Sequence, residues 1–192
     1  MTDRTVFDST VFDTTASDST ASDTAASDST GRANRIRAIE PGDVADVVQL
    51  VHELALYEKL PELCHLTDGQ LHDALFGPAP ALFGLVAEHE PGRVGGFALY
   101  FLSFSTWEGV HGIYLEDLYV RPEVRGSGLG KALLNRLAQI AIERGYARVE
   151  WSVLDWNTPS IDFYRSLGAV PMDQWTTFRL TGPALRTAAG TG

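Results

Sequence analysis

The sequence predicts an α/β fold with a mixed sheet, occupying residues 34–182, and three observations carry that expectation. Strand-like stretches follow one another at 81–89, 94–104 and 112–120. The third runs into a glycine-rich turn and then a helical repeat of Leu129, Leu133, Leu137, Ile140 and Ala141. Before them, Val44, Val47, Val48, Val51 and Leu54 form a single apolar stripe at helical spacing. Three strands in succession ahead of the helix set this order apart from a doubly wound sheet, in which strands and helices alternate.

From Val6 to Thr30 the chain repeats every five residues, with aspartate at 8, 13, 18, 23 and 28. That period fits neither helix nor strand. A Ser/Thr/Asp/Ala composition buries too little apolar surface to offset chain entropy, so residues 1–33 read as a disordered tail. Arg35–Ile39 reads as a short strand, and Pro41-Gly-Asp43 opens the first helix, which ends near Tyr57-Glu-Lys-Leu-Pro61. Thr67 with Gln70 is a capping-box pattern for a second helix that Gly77-Pro78 stops. Glu90-Pro-Gly92 joins the next two strands as a hairpin. Beyond the glycine turn come a strand at 147–153, a helix opened by Asn157-Thr-Pro-Ser160 and stopped by Gly168, a final strand at 175–180, and a flexible tail at 183–192.

Composition narrows the function. The formal net charge is −10, of which residues 1–30, with six aspartates and one arginine, supply half. Nucleic acid needs a basic surface, so it is not an expected partner. No apolar run is long enough for a membrane span, and no signal peptide is evident, so a cytoplasmic protein is expected. One cysteine, Cys64, forms no internal disulfide and lies outside every motif. The five histidines are scattered, and His52-Glu53 lacks the second histidine of a zinc helix, so no metal site is expected.

Val120–Lys131, VRPEVRGSGLGK, is the stretch that points to chemistry. A glycine turn between strand and helix leaves backbone N–H groups bare at a helix N-terminus, where phosphate oxygens are favoured. A nucleotide P-loop fails on spacing: the first glycine position falls on Arg125, and Ala132 replaces the metal-binding hydroxyl. A dinucleotide fingerprint is weak, because the glycines alternate and the turn comes late. The remaining pattern, Arg125-Gly-Ser-Gly-Leu-Gly130 after a strand ending in Val-Arg-Pro, resembles the pyrophosphate-binding motif of the GNAT family of acetyl-CoA-dependent N-acetyltransferases. Further segments, Tyr57-Glu-Lys-Leu60, Phe104–Gly109, Tyr114-Leu-Glu-Asp117, Val153–Asn157, Asp162–Arg165 and Leu167-Gly-Ala169, resemble its diamine acetyltransferase branch, which includes spermidine/spermine and thialysine ε-acetyltransferases.

The resemblance implies the GNAT acyl-CoA N-acyltransferase fold, acetyl-CoA as cosubstrate, a homodimer, and direct transfer to a small cationic amine. A lysine-like ammonium with a pKa near 10.4 needs about 4.6 kcal/mol to reach its free amine at pH 7, so the site must help remove a proton. Glu116 is the candidate base or water-positioning group. Asp117 is its neighbour and in a regular strand points to the opposite face; both reach one site only if the strand is bulged, and otherwise one is structural. Tyr164 lies where the resembling enzymes place the acid for the departing thiolate. Backbone N–H groups around Leu118 and Val120 are expected at the acetyl oxygen. Arg125, Gly126, Gly128, Leu129, Gly130 and Lys131 are expected at the pyrophosphate, and Asn157 at the pantetheine arm. Glu53, Glu58, Trp107 and Trp156 are substrate candidates through ion pairing and cation–π contact. Glu53 and Glu58 read equally as solvated helix charges, and Trp107 as a packing residue. A protein or peptide acceptor, and a non-catalytic acyl-CoA sensor, are the alternatives.

Overall fold

The computed structural model describes residues 26–27 and 33–191. The described chain divides into two compact units, one ending at Trp151 and one beginning at Ser152. The first unit holds the whole sheet: β1 (Ala26–Ser27), β2 (Ala33–Ala38), β3 (Phe83–Glu90), β4 (Arg93–Ser105), β5 (Val110–Val120) and β6 (Val149–Trp151), side by side in that order. Pairing is antiparallel up to β5, while β5 and β6 run parallel, so the sheet is mixed as expected. The two-residue β1 lies within the stretch expected to be a tail; the rest of that tail, apart from Ala33, falls outside the described residues.

Alternation along the strands sorts the core into two faces. Val86, Phe97, Leu99 and Tyr119 form one cluster with Val44, Val47, Val48 and Leu50 of α1 (Val44–Tyr57) and Leu71 and Leu75 of α2 (Asp68–Phe76). The intervening Leu85, Ala98, Tyr100, Ile113 and Leu115 are buried on the other face. There α3 (Leu129–Glu143) packs across β2 to β6, burying Leu129, Leu133, Leu134, Leu137, Ile140 and Ala141. The expected stripes on α1 and α3 therefore face the sheet. The Thr67 cap forms as its spacing predicts, with Thr67 Oγ1 accepting from Gln70 N and Gln70 Oε1 accepting from Thr67 N.

One polar network stitches the start of the domain. Arg37 on β2 grips Asp43 with two nitrogens, at 2.6 and 2.8 Å, and its Nε donates to Glu88 of β3 at 2.8 Å. Its hydrogen bonds hold the Asp43 carboxyl below its ordinary range despite burial, with the Glu40 N–H adding to them. Burial pushes Glu88 up, but Arg37 and the Gly92 N–H outweigh it and hold Glu88 low.

The second unit corrects two expectations. It contains α4 (Thr158–Ser166) and α5 (Gly182–Ala188). Trp175–Leu180 is not a strand. Its Trp-Thr-Thr-Phe pattern has strand character, but no strand is described in that unit to supply a ladder, and isolated extended chain is not a strand. The expected flexible tail from 183 is instead mostly the seven-residue α5, which proline near its first position and Ala, Leu and Arg favour.

Candidate functional site

The central strand carries a bulge at the position that decides its chemistry. Leu99 of β4 faces Asp117, yet the next residue, Tyr100, faces Leu115, so Glu116 is the extra residue on β5. Leu115 lies on the α3 face with Tyr100, which puts Glu116 toward α1. Cross-strand partners share a face, so Asp117 shares that of Leu99, which also faces α1. The two carboxylates, which a regular strand would separate, therefore share one side of the sheet.

That side is already acidic. Burial, then the charges of Glu116 and Glu58, push the Asp117 carboxyl from its ordinary 3.8 up to about 6. Glu58 is itself raised by burial. Its position follows from how α1 ends. Leu60 N bonds Ala55 O and Lys59 N bonds Leu56 O, a Schellman closure with Lys59 in the left-handed region at φ 64°. Lysine stands there where glycine is usual, at a backbone cost of roughly 1–2 kcal/mol. The closure sets Tyr57 and Glu58 on the last turn, and α1 packs against β4 and β5.

The expected donor side begins where β5 loses its second neighbour. Parallel pairing with β6 covers only Ile113–Leu115, and past it no described strand pairs that edge. Arg121 N bonds Gly95 O, so in the alternating antiparallel ladder Tyr119 and Asp117 also turn their amides toward β4. Leu118 and Val120 then present theirs to the open edge. These are the two amides expected at the acetyl oxygen.

The glycine turn follows. Gly126 and Gly128 have φ of 78° and 86°, values that only glycine adopts freely, and no atom within 4 Å would oppose a Cβ at Gly126. Gly126 is thus required for backbone conformation and not for space. Gly128 caps α3 without a side-chain hydrogen bond, and the first intrahelical bond is Ala132 N to Gly128 O. The N–H groups of Leu129, Gly130 and Lys131 precede that bond and form the free N-terminus of the helix. Lys131 is exposed beside them.

The remaining predicted residues are divided between the two units. Trp107 sits in the turn of the β4–β5 hairpin and is 90 % exposed, so it packs on no carboxylate. Glu53 pairs with Arg121 at 3.5 Å and accepts from Gln49, which favours the structural reading of that residue. In the second unit Asn157 is buried and caps α4 through Oδ1, accepting from Ser160 N at 3.4 Å. Tyr164 is half-buried on α4 with its ring 5.5 Å from Phe163, and Trp156 is half-exposed. A cavity of about 470 Å³ lined by Arg37, Phe76, Tyr100 and Arg144 involves none of the candidates. Among the described residues no three His, Cys, Asp or Glu side chains are placed to hold one metal ion, and no helix is long and apolar enough to cross a membrane. Sequence reasoning missed the partners of Arg125: its guanidinium lies 5.0 Å from the Tyr57 ring centre and 5.4 Å from that of Tyr119, and its Nε donates to Val120 O. Aromatic residues distant in sequence gave no signal of this.

A bulged central strand leading through a glycine turn into a bare helix N-terminus is the frame expected of an acetyltransferase. The chain belongs to the acetyltransferase (GNAT) family, whose model matches residues 49–169, and it is an acetyltransferase. It is 39 % identical over 165 residues to the thialysine N-epsilon-acetyltransferase of Bos taurus, covering 81 % of this chain and 96 % of that protein. It is 36 % identical over 154 residues to the human spermidine/spermine N(1)-acetyltransferase-like protein 1, covering 76 % of this chain and 22 % of that longer protein. Among solved structures, an integron cassette protein from the mobile metagenome of V. cholerae superposes with a TM-score of 0.69 at 26 % identity, over 81 % of this chain and 97 % of the other.

Proposed function

We propose that the protein transfers the acetyl group of acetyl-CoA to a terminal primary amine of a small cationic molecule, of the thialysine, diamine or polyamine kind. The observation that carries this is the bulge at Glu116, with Glu116, Asp117 and Glu58 gathered beside the edge that presents the Leu118 and Val120 amides. Three carboxylates suit a substrate bearing more than one positive charge, and the names of the relatives above agree.

In this reading Glu58 and Glu116 hold the incoming ammonium. Asp117, whose affinity for a proton is raised by burial and its acidic neighbours, serves as base, with Glu116 positioning the amine or an intervening water. The ammonium gives one proton to the carboxylate; the resulting free amine bonds to the thioester carbonyl carbon as the carbonyl π pair moves to oxygen, and the nitrogen sheds its second proton as the tetrahedral intermediate collapses. The Leu118 and Val120 amides stabilise the oxyanion. As the carbon–sulfur bond breaks, the thiolate leaves with its electron pair and takes a proton. Tyr164 as that acid and Asn157 as a pantetheine ligand rest on the sequence match. The cradle amides with Arg125 and Lys131 bind the pyrophosphate. Trp156 and Trp107 remain candidates for the distal cation.

Exposure of Val170, Met172, Trp175, Phe178 and Leu180 in the second unit supports the homodimer expected from the resemblance, and a monomer mass by light scattering would remove it. A single free cysteine agrees with a reducing, cytoplasmic setting. The deciding experiment measures thiol release from acetyl-CoA with spermidine, putrescine, thialysine, lysine and a cationic peptide. Turnover confined to the small amines is the expected result. Turnover with the peptide alone would support a protein acceptor, and tight acetyl-CoA binding without turnover would support a sensor.

A further inference from the structure

Tyr57, the residue that precedes Glu58, lies against Arg125 of the glycine turn. Arg125 is exposed on the glycine turn, where a free arginine samples many rotamers and loses that freedom on gripping a ligand. Here it is already held. Its Nε donates to Val120 O at 2.9 Å, on the open edge of β5, and its guanidinium lies 5.0 Å from the ring centre of Tyr57 and 5.4 Å from that of Tyr119. Tyr119 is only 6 % exposed and belongs to the core cluster, so it is a fixed wall. Tyr57 is half-buried on the last turn of α1, which the Schellman closure fixes. The terminal nitrogens of Arg125 bond no described residue, which leaves the outer fork for an anion.

A second tether runs alongside. Glu53, one turn earlier on α1, pairs with Arg121 at the start of the glycine stretch, and Tyr119 senses the same charges, its hydroxyl raised by burial and then by Glu53. The C-terminal half of α1 therefore reaches the donor cradle through Glu53 and Tyr57, and the acceptor carboxylates through Glu58.

We propose that Tyr57 is a positioning residue for donor binding: its ring holds the Arg125 guanidinium in the orientation that receives the pyrophosphate of acetyl-CoA, so that α1 serves both substrates. This rests on the donor reading given above. The ring face is the working part, because a cation over an aromatic face is attracted by its quadrupole whether or not a hydroxyl is present.

The test is calorimetric binding of CoA, and of pantetheine as a probe lacking the pyrophosphate, to the full chain and to Tyr57→Phe, Tyr57→Leu, Arg125→Ala and the Tyr57→Leu/Arg125→Ala double variant. Circular dichroism checks each fold. Tyr57→Leu should weaken CoA by about 3- to 5-fold, in keeping with an exposed cation–π contact, and leave pantetheine unchanged. Tyr57→Phe should retain most of the wild-type affinity. In the Arg125→Ala background the Leu substitution should have no further effect, since the two residues act as one unit. Three results would overturn the proposal: undiminished CoA affinity in Tyr57→Leu, equal loss in Tyr57→Phe, or a loss that persists without Arg125. Wild-type protein that bound no CoA would remove the donor reading and this inference together, and so is told apart from a failure of Tyr57 alone.

Discussion

Neutralising Asp117 should make the protein more stable and less active, and the size of the first effect follows from its surroundings. Burial, with Glu116 and Glu58 close by, raises this carboxyl from 3.8 to about 6. At about 1.36 kcal/mol per pH unit, keeping it ionised in the folded protein costs about 3 kcal/mol. The sign follows from the direction of the shift. A raised folded pKa favours the folded state fully below pH 3.8, and that contribution is lost as pH rises through about 6. Asp117→Asn has no such proton to lose. Urea unfolding of the two proteins from pH 4 to 8 should give nearly equal stabilities at the acid end and a gap opening toward about 3 kcal/mol by pH 8. The same variant should lose about 10²–10⁴-fold in kcat/KM if Asp117 takes the amine proton, with the acid limb near pH 6 disappearing from the residual activity. A constant gap at every pH, or a less stable variant at pH 8, would refute the premise that burial strains this carboxylate. Full activity in Asp117→Asn would return the role of base to Glu116.

Arg37→Ala should cost about 3–5 kcal/mol near pH 7, because it strands Asp43 and Glu88, 8 % and 5 % exposed, without their cation. Both carboxyls are held low with Arg37 present, so the loss should shrink as pH falls through the carboxylate range, measured by the same unfolding series. Gly128→Ala should cost about 1–2 kcal/mol for a φ of 86°, seen as a lower urea midpoint, and should weaken CoA in calorimetry by misplacing the helix N-terminus. Tyr164→Phe should lower kcat by about 10²–10⁴-fold in the thiol-release assay while the urea midpoint stays near wild type; unchanged kcat would remove Tyr164 as the acid.

Local chemistry is what one sequence displays, and those parts were legible in advance. The stripe Val44, Val47, Val48 announces a helix face because helical spacing repeats along the chain itself. Thr67 caps through a residue three positions on, and Gly126 and Gly128 adopt the left-handed region that their lack of a side chain permits. The glycine turn and the helix it opens were therefore readable from a dozen consecutive letters, and so was the α4 cap at Asn157.

Pairing beyond the β3–β4 hairpin was not readable, because it depends on partners far away in the chain. Trp175–Leu180 has strand-favouring residues and no described ladder in its own unit, so it stays unassigned. Glu53 read equally as a substrate ligand and a solvated helix charge, with no sign of its ion pair to Arg121, and Arg125 read as a phosphate ligand with no sign of Tyr57 and Tyr119 beside it. The bulge is the clearest case. The sequence by itself supplied Glu116 and Asp117 as neighbours, which a regular strand would point to opposite faces. Only the register between β4 and β5, slipping by one residue at Leu99 and Tyr100, turned both toward α1, since a side-chain period of two is reset by a single extra residue.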